Sequence, residues 1–508
     1  SAITEPLSLP EVDLSVVPSL DDAVQRVLSL PSVASKSFLI TIGDRTVTGL
    51  VDRDQFVGPW QVPVGDVGVT ATSLGDSIIS TGEALAMGEK PVNALISASA
   101  SAKLAVAESL LNIMAADVKS LKHIKLSANW MSPATHKGEG SKLYEAVQAL
   151  GMDLCPDLGI AIPVGKDSMS MKMKWDNKEV TAPLALNITS FAPVYNTSKT
   201  WTPVLNKAVG DSSLVLVDLS SLQNCKRLGG SALLQVYNQV GNSSPTVYDN
   251  FVLKSFLESL LALHKDGTLV SAYHDVSDGG LFTTLAEMAF ASRCGLVINV
   301  QNKDQNDIIT ELFNEELGAV FQVSNDKYDK FVQVLNDNGI TSEYVKIVAT
   351  PDFSTQDIKI ANGNDIVYNT TRGKLQQIWG QTSYEMQKLR DNPNTAAEEY
   401  ATLLDDSNPG LQYKLTFNPA DKKNYSDKRP KVAILREQGV NGQMEMAWCF
   451  EQAGFQSIDV TMTDLISGKI QLRDFVGFAA CGGFSYGDVL GAGAGWAKSV
   501  LYHDNVRQ

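Results

Sequence analysis

The chain has 508 residues, 44% of them hydrophobic and 38 of them glycine, with a formal net charge of −15 at pH 7. That length suits about three domains, and the composition is that of globular α/β protein, neither disordered nor collagenous. The acidic balance argues against non-specific nucleic-acid binding, which needs a basic footprint, but carboxylates that hold Mg2+ can still receive a nucleotide.

No apolar run reaches the roughly 18–20 residues of a membrane helix, so no membrane partner is expected. The opening Ser1-Ala-Ile-Thr-Glu5 has neither a basic n-region nor an initiator Met, so it is not a signal peptide, and a chain cut at both ends is the simpler expectation. Cys155, Cys225, Cys294, Cys449 and Cys481 lie far apart and form no Cys-x-x-Cys pair. This usage points to a reduced, cytoplasmic setting and away from structural zinc.

In chain order, Ser37–Ile42 predicts a strand, with a turn at Gly43-Asp44. The loop Gln61-Val-Pro-Val-Gly-Asp66-Val-Gly-Val69 sets Asp66 between two glycines, as a hard-oxygen ligand or as an ordinary turn residue. Residues 98–118 predict an Ala-rich helix. Glu108 and Asn112 share one face of it, as candidate Mg2+ ligands or as plain solvated polar residues. A short strand is expected at 124–130. Gly165, Lys166, Asp167 and Ser168 offer half of a phosphate loop, without the full Gly-x-x-x-x-Gly-Lys-Ser spacing. His123 and His136 suit structural or surface roles.

A second α/β unit spans about 212–370. It has strands at 213–218, 268–273 and 296–300 and helices at 253–263 and 281–292. Within it, His274-Asp-Val-Ser-Asp-Gly-Gly-Leu281 reads as a strand end followed by a helix start. Ser277 or Asp278 is the expected N-cap. The free N–H groups and the glycine pair could receive a phosphate beside a cation facing Asp275. Three such hard-oxygen segments suit an Mg2+-nucleotide.

Residues 375–425, with helices expected at 382–390 and 396–404, read as a packed linker. A fresh βα unit follows, with strands at 430–435 and 458–460 around a helix at 443–453. An apolar strand, 475–480, then enters a glycine loop at 480–495. The serial strand–helix alternation predicts a parallel, doubly wound sheet. Cys449 and Cys481 are expected to be core thiols.

Several longer segments resemble the phosphoribosylformylglycinamidine synthase family in its large, single-chain, fungal form. They are Asp44-Arg-Thr-Val-Thr-Gly49, Asp54-Gln-Phe-Val-Gly-Pro-Trp-Gln61, Leu126-Ser-Ala-Asn-Trp130, Val164-Gly-Lys-Asp-Ser-Met-Ser-Met171, Phe313-Asn-Glu-Glu-Leu-Gly318, Met386-Gln-Lys-Leu-Arg-Asp-Asn-Pro393, Leu435-Arg-Glu-Gln-Gly-Val-Asn441 and the glycine loop. The resemblance implies an α/β and α+β chain: the second of two halves similar to aminoimidazole ribonucleotide synthetase, then the start of a class I glutamine amidotransferase with a flavodoxin-like parallel sheet. The implied divisions are a lead-in (1–36), two synthetase-like subdomains (37–205 and 206–370), a helical linker (371–428) and an incomplete glutaminase domain (429–508).

The resemblance further implies Mg2+ on Asp66, Glu108, Asn112 and Asp275, with ATP or ADP against Gly65 and Ser277. It places Gly165, Lys166, Asp167 and Ser168 at a cleft for ATP and substrate. Gly482 and Gly483 would supply the oxyanion-side backbone, with the glutaminase Cys and His beyond Gln508 and so no catalytic residue present. The implied reaction uses formylglycinamide ribonucleotide, glutamine and ATP to make formylglycinamidine ribonucleotide, glutamate, ADP and phosphate, together with an N-terminal synthetase half. A nucleotide-stabilised scaffold is the alternative reading. Selenophosphate synthetase and thiamine-phosphate kinase are weaker ones, since neither carries a unit like 431–495. Two positions depart from the family: Gly65 stands where Ala is usual, and Val276 where Arg is usual.

Overall fold

The computed structural model describes residues 8–43, 45, 49–75, 80–223, 226–301, 303–418, 421, 427–489, 491 and 493–508. Asp44 of the expected turn, Cys225, and Leu490 and Ala492 of the glycine loop lie outside the described residues, as does the opening Ser1–Glu5 segment. Two compact units emerge, one built largely from residues up to Gln412 and the other mainly from Tyr413–Gln508.

In the larger unit, a six-stranded sheet has the order Val51–Arg53, Gly68–Ala71, Gly82–Glu89, Ala185–Val194, Lys125–Met131, Ala161–Ser168. Gly82–Glu89 pairs antiparallel with both Gly68–Ala71 and Ala185–Val194, and Ala161–Ser168 runs parallel to Lys125–Met131. Gly82–Glu89 alternates strictly between buried and exposed residues, as period-2 geometry requires of a strand with one covered face. Its inward Ala84 and Ala86 pack beneath the helix Ala98–Ile113, which Ser97 caps by accepting from the Ala100 N–H.

Gly88 sits at the closest approach of this strand and helix. A Cβ there would fall within 2.5 Å of the Ser109 amide nitrogen and closer still to the Ala105 carbonyl oxygen. Both obstacles are backbone, so Gly88→Ala is expected to destabilise the unit by about 1–3 kcal/mol or more. Urea denaturation measures this directly, and a stability within about 0.5 kcal/mol of wild type would refute the close approach.

The second sheet of this unit has seven strands, ordered Ala272–Asp275, Gly318–Ser324, Ser212–Asp218, Val345–Asp352, Gly295–Val300, Asp357–Asn362, Asp365–Thr371. Its pairs are antiparallel apart from Gly295–Val300 with Asp357–Asn362. Neither large sheet is therefore the parallel, doubly wound sheet expected from the alternation. Strand–helix order fixes which elements exist, but pairing follows from which faces find cover. Tyr273, wholly buried, donates its hydroxyl to the Leu111 carbonyl and so ties this edge strand to the helix Ala98–Ile113.

Three local expectations are corrected. Ser37–Thr41 is a short helix, not a strand. The turn closes through the Ile40 N–H to the Lys36 carbonyl. The strand expected at 268–273 lies at Ala272–Asp275. The linker helices are Arg372–Arg390 and Pro393–Ala401, the first of them starting ten residues earlier than expected.

The smaller unit carries a three-stranded parallel sheet, ordered Gln456–Thr461, Lys431–Arg436, Gly477–Ala480, with the helix Gln443–Gln452 following its central strand. Here the parallel expectation holds. Cys481 is buried with Val432 and Ile434. Cys449 is exposed, against expectation. Its helix turns Ala447 and Phe450 toward that cluster and leaves Cys449 outward.

Candidate functional site

Four chain segments converge in the larger unit. The hairpin Phe56–Val57/Val62–Pro63 ends at Gly65, whose N–H donates to the Gln55 carbonyl at 2.9 Å. A methyl at Gly65 would sit 2.9 Å from the Asp54 carbonyl oxygen, so glycine permits this closure. Asp66 follows and meets the strand Ala272–Asp275. Its Oδ1 lies 2.6 Å from His274 Nδ1, and His274 Nε2 lies 2.8 Å from Glu287 Oε2. Asp275 Oδ1 is 3.8 Å from His274 Nδ1. The ligand-type atoms of Asp66, His274 and Asp275 all lie within 4.8 Å of one another.

From the helix Ala98–Ile113, Glu108 accepts the Glu89 N–H at 2.8 Å and the Ser277 hydroxyl. Asn112 Nδ2 donates to the Met87 carbonyl at 3.1 Å. Lys90, the residue after the Gly82–Glu89 strand, pairs with Asp278 and lies 3.6 Å from Glu315 and 3.9 Å from Glu108.

The most telling atoms are those left without partners. Asp66 Oδ2, Asp275 Oδ2 and Asn112 Oδ1 are buried and accept no hydrogen bond. A buried polar atom with no partner costs about 1–3 kcal/mol. All three are hard oxygens of the kind Mg2+ prefers, and Asp66 and Asp275 belong to one group whose ligand-type atoms lie within 4.8 Å of one another. The residues present therefore fit a dication.

The electrostatics agree. Burial pushes the Asp275 carboxyl well above the usual carboxylate range, and the charge of Asp66 adds to the effect. Burial also raises Asp66 and Glu108, opposed by His274 and Lys90 respectively. A dication among these oxygens would reverse such shifts. At His274, burial favours the neutral ring, but the carboxylates of Asp66 and Glu287 outweigh it and hold the ring's pKa well above its ordinary value. Its two hydrogen bonds, to Asp66 and to Glu287, engage both ring nitrogens, so His274 orients Asp66.

Two sequence expectations fail at the helix Gly280–Ser292. Its N-cap is Gly279, in the left-handed region at φ 88°, and not Ser277 or Asp278. Those two side chains turn to Glu108 and Lys90. The glycine amides are not free for phosphate either. Gly279 N–H donates to Glu315 Oε1 at 2.8 Å, and Gly280 N–H to the Ser277 carbonyl at 3.0 Å. Val276 is 8% exposed and packs in the apolar core.

Gly165, Lys166, Asp167 and Ser168 do not form a loop. They lie on the exposed edge strand Ala161–Ser168, where the Lys166 amine bonds the Ser168 hydroxyl. Among the described residues, no hydrogen bond or ion pair joins them to the acidic cluster. In the smaller unit, the Gly482 carbonyl accepts the Asn441 N–H at 3.1 Å, and Gly483, at φ 142°, bridges Val440. Burial raises the Cys481 thiol above its ordinary value.

Sequence reasoning gave no role to His274, Lys90, Glu287 or Glu315. His274 carried a signal by lying next to Asp275 in the strand that ends at the site, and Glu315 lies within the family-resembling segment 313–318.

Comparison with known proteins decides the family. The chain is 73% identical over 512 aligned positions to phosphoribosylformylglycinamidine synthase of Saccharomyces cerevisiae, covering 99% of this chain and 38% of that protein. The chain belongs to the phosphoribosylformylglycinamidine synthase family. The Schizosaccharomyces pombe member is 52% identical, with 100% of this chain and 39% of that protein covered. The chain thus spans under two-fifths of the length of these phosphoribosylformylglycinamidine synthases.

Residues 35–193 match the FGAR-AT PurM_N-like domain, 210–354 the AIR synthase related C-terminal domain, and 429–508 the CobB/CobQ-like glutamine amidotransferase domain. A solved structure, T. maritima PurL complexed with FGAR, shares the fold at a TM-score of 0.51 and 12% identity, covering 72% of this chain and 55% of that one. No helix among the described residues is long and apolar enough to cross a membrane.

Proposed function

We propose that the acidic cluster holds Mg2+ with ADP or ATP, and that the chain serves the synthetase reaction its family is named for. The three unpartnered oxygens of Asp66, Asp275 and Asn112 carry this reading. Glu108 completes the ligand set, and Ser277, bonded to it, faces the nucleotide beside the Gly65 turn. Bound there, Mg2+ would neutralise phosphate charge. The protein's own part is to hold Asp66 through His274 and to bury the carboxylates, because their pull on a cation is stronger away from bulk water.

In the whole protein, the reaction we assign is ATP-dependent transfer of the glutamine amide nitrogen to formylglycinamide ribonucleotide, in concert with an N-terminal synthetase half. Gly165, Lys166, Asp167 and Ser168 are assigned to the substrate side, and Gly482 and Gly483 to the oxyanion side of the glutaminase. We assign no nucleophilic role to Cys481, which is buried with its thiol raised. The free thiols Cys155, Cys294, Cys449 and Cys481 suit a reducing, cytoplasmic compartment.

A second reading makes the nucleotide a structural ligand, with turnover elsewhere. It is favoured by His274, whose two ring nitrogens are both engaged by carboxylates and so are not free to act on a substrate. Calorimetric titration tests the reading common to both. ADP should bind in the presence of Mg2+ and lose most of its affinity in EDTA. Equal binding in both conditions, or none in either, would contradict it.

A further inference from the structure

We propose that Lys90 is a positioning residue for this site, fixing Glu108 and the turn that carries Ser277 in the arrangement that receives Mg2+-nucleotide. The inference rests on the Mg2+-nucleotide reading above. Lys90 is 6% exposed, and its ammonium faces three carboxylates from three distant segments, Glu108, Asp278 and Glu315. A buried ammonium is tolerated only when it is paired in this way.

Each of these partners has a second task. Glu108 accepts from the Ser277 hydroxyl and from the Glu89 N–H. Asp278 is the next residue after Ser277. Glu315 Oε1 accepts two backbone N–H groups at 2.8 Å, from Gly279 and Ala232, and so holds the starts of two helices. The lysine is itself fixed at its backbone, where its carbonyl accepts the Ser101 hydroxyl at 2.6 Å.

The ammonium thus joins the proposed ligand Glu108, the Ser277 turn and the carboxylate that caps the helix behind that turn. Without its charge, Glu108 and Asp278 lose their common partner, and Glu108 is no longer held in the orientation that meets Ser277. A lysine that only supported the fold would lower stability but leave the folded protein's affinity and Mg2+ requirement unchanged.

The test measures Mg-ADP affinity, the Mg2+ concentration for half-saturation, and the melting temperature of the ligand-free protein. Lys90→Met should weaken Mg-ADP binding and raise the Mg2+ requirement, each by about 10–100-fold, the usual effect of removing a residue that orients metal ligands. Lys90→Arg, which keeps the charge, should recover part of that loss. If Lys90→Met does not fold, Asp278→Asn replaces it. That side chain is 39% exposed, so the fold should survive its change while binding weakens several-fold.

Wild-type affinity and Mg2+ requirement in folded Lys90→Met, or in Asp278→Asn where Lys90→Met is unfolded, would overturn the proposal. Absence of Mg-ADP binding by the wild-type protein would instead overturn the nucleotide reading, and this inference with it.

Discussion

Asp275→Asn should weaken Mg-ADP binding about a hundredfold or more, while the ligand-free protein melts no lower than wild type. Even changes behind a metal ligand cost 10–100-fold, and this one neutralises the ligand itself. The stability half of the expectation follows from the geometry. Asp275 is 5% exposed, its Oδ2 has no partner, and burial together with Asp66 disfavours its charge. An amide of the same shape removes that repulsion without opening a cavity. Calorimetry and thermal melts on one preparation separate the two effects. A lower melting temperature with unchanged affinity would make Asp275 a structural group.

The second large effect is expected at Arg372, in the helix Arg372–Arg390. It is the largest wholly buried side chain among the described residues. Its guanidinium donates to Gln356 at 2.7 Å, to Gln376 at 2.7 Å, to the Leu403 carbonyl at 2.8 Å and to Asp406 at 2.5 Å. Arg293 holds the same segment through the carbonyls of Thr402 and Asp405.

Arg372→Met keeps the stem but leaves four acceptors without their donor. Asp406 is 54% exposed and stays solvated, so the cost comes from the buried acceptors that lose their donor, at about 1–3 kcal/mol each. Limited proteolysis should then cut near residues 402–406 well before the remainder of this unit. Unchanged denaturant stability would show that solvent replaces the lost donors.

Legibility divided along a physical line. Loops with unusual local chemistry were readable, because glycine beside Asp66 and glycine after Ser277-Asp278 mark positions where the backbone turns sharply. The Ala-rich helix carrying Glu108 and Asn112 also showed in its composition, although it ends at Ile113 and not at Val118. Sheet direction was not readable. Ala272–Asp275 pairs antiparallel with Gly318–Ser324, more than forty residues away, and strand–helix order carries no record of that choice.

The charge network was hidden for the same reason. Lys90 and Asp278 lie 188 positions apart, and His274 and Asp66 lie 208 apart. Ser277 shows how local rules mislead at such a place. It is a sound N-cap by sequence, but Glu315 caps the helix from another segment and frees Ser277 to meet Glu108. Cys449 failed differently, since a helix with a weak apolar face does not announce which side it turns inward.

The most direct test of the central claim is a crystal structure of the protein with ADP and Mn2+, using Mn2+ anomalous scattering to locate the ion. The ion is expected between Asp66 Oδ2, Asp275 Oδ2, Asn112 Oδ1 and Glu108, with His274 still bonded to Asp66 and Glu287 and outside the coordination sphere. An ion found elsewhere, or one ligated by His274, would contradict the account.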